Sequence, residues 1–110
     1  MITVKIPGWG NMEIENIVLD LNGTIATDGK ISSEVKLRVL ESLDPTKTVA
    51  VGNGNNDHLI LKEAALGIAV LGEEGMSVMA MQDADIVVKN ISEALDLFLK
   101  PKRLIATLRE

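Results

Sequence analysis

Ile17, Val18 and Leu19 run without polar interruption into Asp20, and Leu21-Asn22-Gly23-Thr24 follows at once. An apolar run with no alternation reads as a strand buried on both faces, the pattern of a parallel sheet rather than of a half-wetted antiparallel one. Asp20 then stands at the carboxyl end of its strand. In an open α/β sheet that edge is where ligands bind, so a carboxylate there is a candidate for chemistry.

The rest of the chain alternates in the same manner. Residues 1–16 place apolar and polar positions in turn on either side of Pro7-Gly8-Trp9-Gly10-Asn11, which predicts a β-hairpin with arms Ile2 to Ile6 and Met12 to Glu15. Trp9 at its tip reads as a cap over the hairpin's apolar face, or else as a partner-binding aromatic. Beyond Thr24, Asp28-Gly29 signals a turn and Ser32 or Ser33 a helix N-cap. The helix that follows is expected to turn Val35, Val39, Leu40 and Leu43 inward and to end at Asp44-Pro45. Lys47 to Val51 reads as a second buried strand, followed directly by the loop Gly52-Asn53-Gly54-Asn55-Asn56-Asp57.

From Asp57 a helix with Ile60, Leu61, Ala64 and Ala65 inward is expected to stop at Gly67. Strands are expected at Ile68 to Leu71 and Asp85 to Val88, with a short helix between them at Met76 to Met81 whose methionines fill gaps in the core. Asn90 with Glu93 forms a capping-box-like start to a helix reaching about Lys100, and Lys102 to Leu108 continue beyond Pro101. The fold class is therefore α/β: a mainly parallel, Rossmann-like sheet flanked by helices and preceded by a hairpin. The 110 residues make a single domain, hairpin 1–16 and core 17–110.

Composition excludes several functions. Trp9 and Phe98 are the only aromatics, so base-stacking platforms are lacking, and a formal charge of −5 opposes binding to nucleic acid or anionic lipid. Lys100, Lys102, Arg103 and Arg109 read as a solvated helical face. There is no cysteine, hence no disulfide or thiolate metal site. With no signal-peptide pattern and no apolar run long enough to span a bilayer, the cytoplasm is the expected compartment and no membrane partner is expected.

Parallel pairing would set the loops after Asp20 and after Val51 on one edge of the sheet and bring Asp20 near Asp57. Two carboxylates among amide and backbone oxygens suit Mg²⁺, a hard ion that keeps several waters. Gly23, Gly52 and Gly54 permit close approach of backbone N–H groups to a phosphate, and Asp57 opens a helix whose N-terminus favours anions. Taken singly, Asp20 could merely end a strand and Asp57 merely cap a helix.

These two loops resemble the first and fourth motifs of the haloacid dehalogenase (HAD) superfamily of phosphohydrolases. The paired DLNGT and VGNGNND loops look most like those of its small soluble P-type ATPase-like members, and the likeness spans nearly the whole chain. The resemblance implies that Asp20 attacks phosphorus and carries an aspartyl-phosphate that water then hydrolyses. It implies Mg²⁺ as cofactor, held by Asp20, the backbone carbonyl of Asn22, Asp57 and Asn53. Thr24, Gly23 and Asn22 would hold phosphoryl oxygens, and Asn56 would orient Asp57.

The sequence departs from that pattern at three places. Asn22 stands where phosphatases of the superfamily carry an acid–base aspartate, a group worth a factor of about 10² to 10⁴ in rate. Asn53 replaces an acidic residue of the fourth motif. The βα units that would bring a Ser/Thr phosphate ligand and a stabilising lysine are missing between the first helix and the Lys47 strand, a natural or engineered shortening on the order of 40 residues. Lys47, at the opposite edge, is no substitute.

The expected function is thus a slow HAD-like Mg²⁺-dependent phosphohydrolase acting on a phosphorylated substrate; the alternative is an inactive, shortened module with a binding or scaffold role. Loss of flanking strands would leave the Asp20 strand as an open edge, so a homo-oligomer through that edge is expected.

Overall fold

Four parallel strands and an antiparallel strand pair carry the chain in a computed structural model, which describes residues 2–20, 33–54, 57–71 and 75–108. β1 (Ile2–Ile6) and β2 (Gly10–Ile14) pair antiparallel, with Val4 opposite Met12. Gly8 and Gly10 take positive φ in the connecting turn, a conformation that side-chain-bearing residues avoid. Alternation turns Val4, Ile6, Met12 and Ile14 into the core, and Trp9 packs against the same cluster, as expected of a cap.

β3 (Asn16–Asp20), β4 (Thr48–Gly52), β5 (Leu66–Val70) and β6 (Ile86–Val88) form the sheet in that spatial order, all parallel. Every residue of β4 and β5 is buried. On one face Val49, Val51, Leu66 and Ile68 meet the hairpin and the helices α4 (Ile91–Leu99) and α5 (Pro101–Leu108). On the other face the small residues Ala50 and Ala69 admit α1 (Ser33–Ser42), α2 (His58–Glu63) and α3 (Val78–Asp83), which contribute Leu40, Ile60, Leu61 and Ala80.

Several expectations are corrected. β3 is not buried on both faces: it is the sheet's edge strand, with Val18 and Leu19 half-buried and Ile17 exposed. In α1 only Leu40 of the four expected residues is fully buried; Val35 and Val39 are exposed, and Lys36 is buried in their stead. Gly67 does not stop α2 but lies inside β5, where a Cβ would collide with the Leu61 carbonyl; the close approach of helix end to strand is what requires glycine. Met79 and Met81 are exposed and Ala80 alone in α3 is fully buried, so of these methionines only Met76, partly buried against Leu40, Ile60 and Ala80, fills space in the core.

Other readings match the structure. α1 does end just before Asp44-Pro45, where Asp44 takes φ 63° ahead of a 3-10 turn, Pro45–Lys47. Asn90 caps α4 by accepting from the Glu93 N–H at 2.9 Å. Arg103 on α5 pairs with Glu93 and Asp96 at 3.3 and 3.8 Å on an exposed face. Lys47 lies at the amino edge, 3.8 Å from Glu15. Among the described residues no helix is long and apolar enough to cross a membrane. The expected turn at Asp28-Gly29, the Ser32 cap and Arg109 lie outside the described residues.

Candidate functional site

β3 and β4 end level with one another, Asp20 paired in register with Gly52. The loop after β4 therefore begins beside the end of the Asp20 strand, at the carboxyl edge, as the parallel arrangement requires. The Asp20 side chain, and Asn22, Gly23, Thr24 and Asn56 altogether, lie outside the described residues.

Asp57 opens α2 but does not cap it: its carboxylate makes no bond to the helix's own N–H groups. It turns back into the loop instead. Oδ2 accepts from the backbone N–H of Gly54 at 2.8 Å and of Asn53 at 3.1 Å. The turn is closed by the Asp57 N–H donating to the Gly54 carbonyl at 3.0 Å. Gly52 makes room for this, because a Cβ there would stand 2.6 Å from Cγ and Oδ2 of Asp57.

The remaining oxygen holds a cation. Lys36 Nζ, from the first turns of α1, donates to Asp57 Oδ1 at 2.9 Å, with the two residues 8% and 2% exposed. Burial of two opposite charges is tolerated only where geometry and further hydrogen bonds satisfy both, and the carboxylate here has three N–H donors. The sequence reading expected no lysine at this edge. The helix carrying Lys36 precedes β4 with the Pro45–Lys47 turn between them, and its first turns reach the β4 loop through the Lys36–Asp57 contact. A signal was present: Lys36 stands four residues before Leu40 and seven before Leu43, on the helix's inward face, a place where a lysine needs a buried acid.

Asn53 is half-buried beside Asp57, and its carbonyl accepts from Ser77 N–H at 3.0 Å, tying the loop to the start of α3. For a divalent cation the described donors are neutral or already engaged, and no three His, Cys, Asp or Glu side chains gather among the described residues.

Comparison with known proteins gives two relatives. A phosphoserine phosphatase of Idiomarina loihiensis is 37% identical over 81 residues, which cover 68% of this chain and 36% of the phosphatase, so the match spans about a third of that enzyme. The uncharacterized protein MJ0073 of Methanocaldococcus jannaschii is 52% identical over 79 residues, covering 68% of this chain and 85% of that protein. No family model and no solved structure matches the chain. On the extent of the match to MJ0073, the chain belongs to the same family as that archaeal protein.

Proposed function

We propose that the chain is a HAD-like phosphohydrolase that forms an aspartyl-phosphate at Asp20 and turns over slowly. The observation that carries this reading is the buried Lys36–Asp57 pair, set in the loop whose first residue, Gly52, is paired with Asp20. A fixed ammonium at the ligand-binding edge of a parallel sheet is a preorganised counter-charge for a transferring phosphoryl group. The partial similarity to a phosphoserine phosphatase supports a phosphomonoester as substrate and makes phosphoserine one to assay first.

In this mechanism a carboxylate oxygen of Asp20 attacks phosphorus, and the bond from phosphorus to the leaving oxygen breaks. The leaving oxygen takes its proton from water, since Asn22 has none to give. Water then attacks the phosphorus of the acyl phosphate, releasing orthophosphate and restoring Asp20. Asn22, Gly23 and Thr24 hold phosphoryl oxygens, Asn56 orients Asp57, and Lys36, fixed by Asp57, stabilises the charge that develops. Of the four expected ligands Asp57 is engaged by Lys36 and two amides, so Mg²⁺ would be held by Asp20, the Asn22 carbonyl and Asn53 and would neutralise phosphoryl charge.

Mg²⁺ with beryllium fluoride, a mimic of the aspartyl-phosphate, is expected to raise the melting temperature of the wild type and not of Asp20→Asn. An unchanged wild-type melting temperature would remove the proposal, as would equal shifts in both proteins.

A further inference from the structure

The last two helices divide their packing. α4 lies against β5 and β6, whereas α5 crosses to the hairpin and packs on β1, burying Leu104. β6 is three residues long and ends the strand order. Between β6, α4 and α5 lies a cavity of about 500 Å³, walled by Ile86, Val88, Leu97 and Ala106 and extended by Leu71. β5 separates β6 from β4, whose loop carries the Lys36–Asp57 pair.

Two cations and one acid line this cavity: Lys89, Arg103 and Glu93. Arg103 pairs with Glu93 at 3.3 Å and reaches Asp96 at 3.8 Å, so its charge is met. The Thr107 hydroxyl is spent on the Arg103 carbonyl at 2.9 Å. Lys89 is left, and among the described residues no acid pairs with it. Small-molecule sites ordinarily combine apolar walls, which supply affinity, with a few polar groups that fix orientation. One unmatched cation beside apolar walls calls for a ligand with a single anionic end and an unsubstituted chain behind it. We propose that the cavity binds an aliphatic monocarboxylate, its carboxylate on Lys89 and its chain against Ile86, Val88 and Leu97.

The test titrates the full chain with butanoate, hexanoate, octanoate and the uncharged octanol, by calorimetry and by methyl nuclear magnetic resonance. Affinity is expected to rise about fourfold for each methylene that enters the cavity. Octanol should bind about three- to fivefold more weakly than octanoate, the share of a solvent-exposed charge pair. Shifts should centre on the methyls of Leu71, Val88 and Leu97. Lys89→Gln should bring octanoate down to the level of octanol and leave the melting temperature without ligand unchanged. Ala106→Phe, at an exposed position of α5, puts a ring into the cavity and should abolish the shifts at Val88 and Leu97. A wild type that shows no saturable octanoate binding would overturn the proposal. So would equal affinity for octanoate and octanol, shifts confined to methyls elsewhere, or binding that neither variant changes.

Discussion

The ammonium of Lys36 sits 2.9 Å from Oδ1 of Asp57 across 21 residues of sequence, and neither side chain reaches bulk water to any useful extent. Removing either partner takes this ion pair away from a charge that stays buried, which costs about 3–5 kcal/mol in comparable pairs. Lys36→Met and Asp57→Asn are each expected to lower unfolding free energy in urea by that order. The double variant should lose clearly less than the sum, because the penalty in each single variant belongs to the abandoned partner. Additive losses would show that the pair is not coupled.

Gly52 sets the depth of that pair. An alanine Cβ would fall 2.6 Å from Cγ and Oδ2 of Asp57, so the carboxylate must move off the Asn53 and Gly54 amides to admit it. Gly52→Ala is expected to destabilise by roughly 1–3 kcal/mol, the range for overpacking a filled site. Amide exchange at Asn53 and Gly54 should quicken with it. Unchanged exchange at those two amides would mean that the loop does not depend on the Asp57 position.

How far the chain could be read beforehand differs from element to element. The hairpin, the four strands and their helices follow from local periodicity, and the loop after β4 is visible as a run of glycine and asparagine against an apolar strand. What escaped were relations between distant residues. Lys36 looked like one more charge on a helix, since nothing local tells that Asp57 lies beside it. Gly67 looked like a helix stop, since only the packing of Leu61's carbonyl against β5 shows why glycine is needed inside the strand. Val35 and Val39 satisfied the helical period yet lie outside, because α1 turns Leu37 and Leu40 rather than the valines toward the sheet.

Asp44 gives a prediction in pH. Its carboxyl is held below the usual 3.8, first by the Thr46 hydroxyl, which donates at 2.6 Å, and further by the Thr46 N–H at 3.1 Å and by Lys47. A lowered value in the folded state means that the ionised form is favoured on folding, so this contribution is present above about pH 3.8 and disappears as pH falls through the folded value. Thr46→Val removes the hydroxyl and keeps the amide. Nuclear magnetic resonance titration should then find the Asp44 midpoint moved up toward 3.8. Asn at position 44 tolerates the positive φ of 63°, so Asp44→Asn should keep the turn while losing this segment of the acid dependence.

β3 supports a prediction about association. It closes one end of the four-strand order, and no described strand pairs with its outer side. Ile17 is exposed on it, and Val35 and Val39 are exposed on α1. Parallel sheets ordinarily cover their apolar strands, and an open edge recruits a further strand. A second copy can supply one through a twofold axis, which presents the same surface twice and needs no other partner. Light scattering across the micromolar range is expected to find the mass rising from 11.8 kDa toward twice that value. Ile17→Lys, which puts a charge on the edge without touching the buried strands β4 and β5, should shift the equilibrium to the monomer and leave the circular dichroism unchanged. A wild type that stays monomeric at high micromolar concentration, or an Ile17→Lys variant that associates as the wild type does, would count against pairing at this edge.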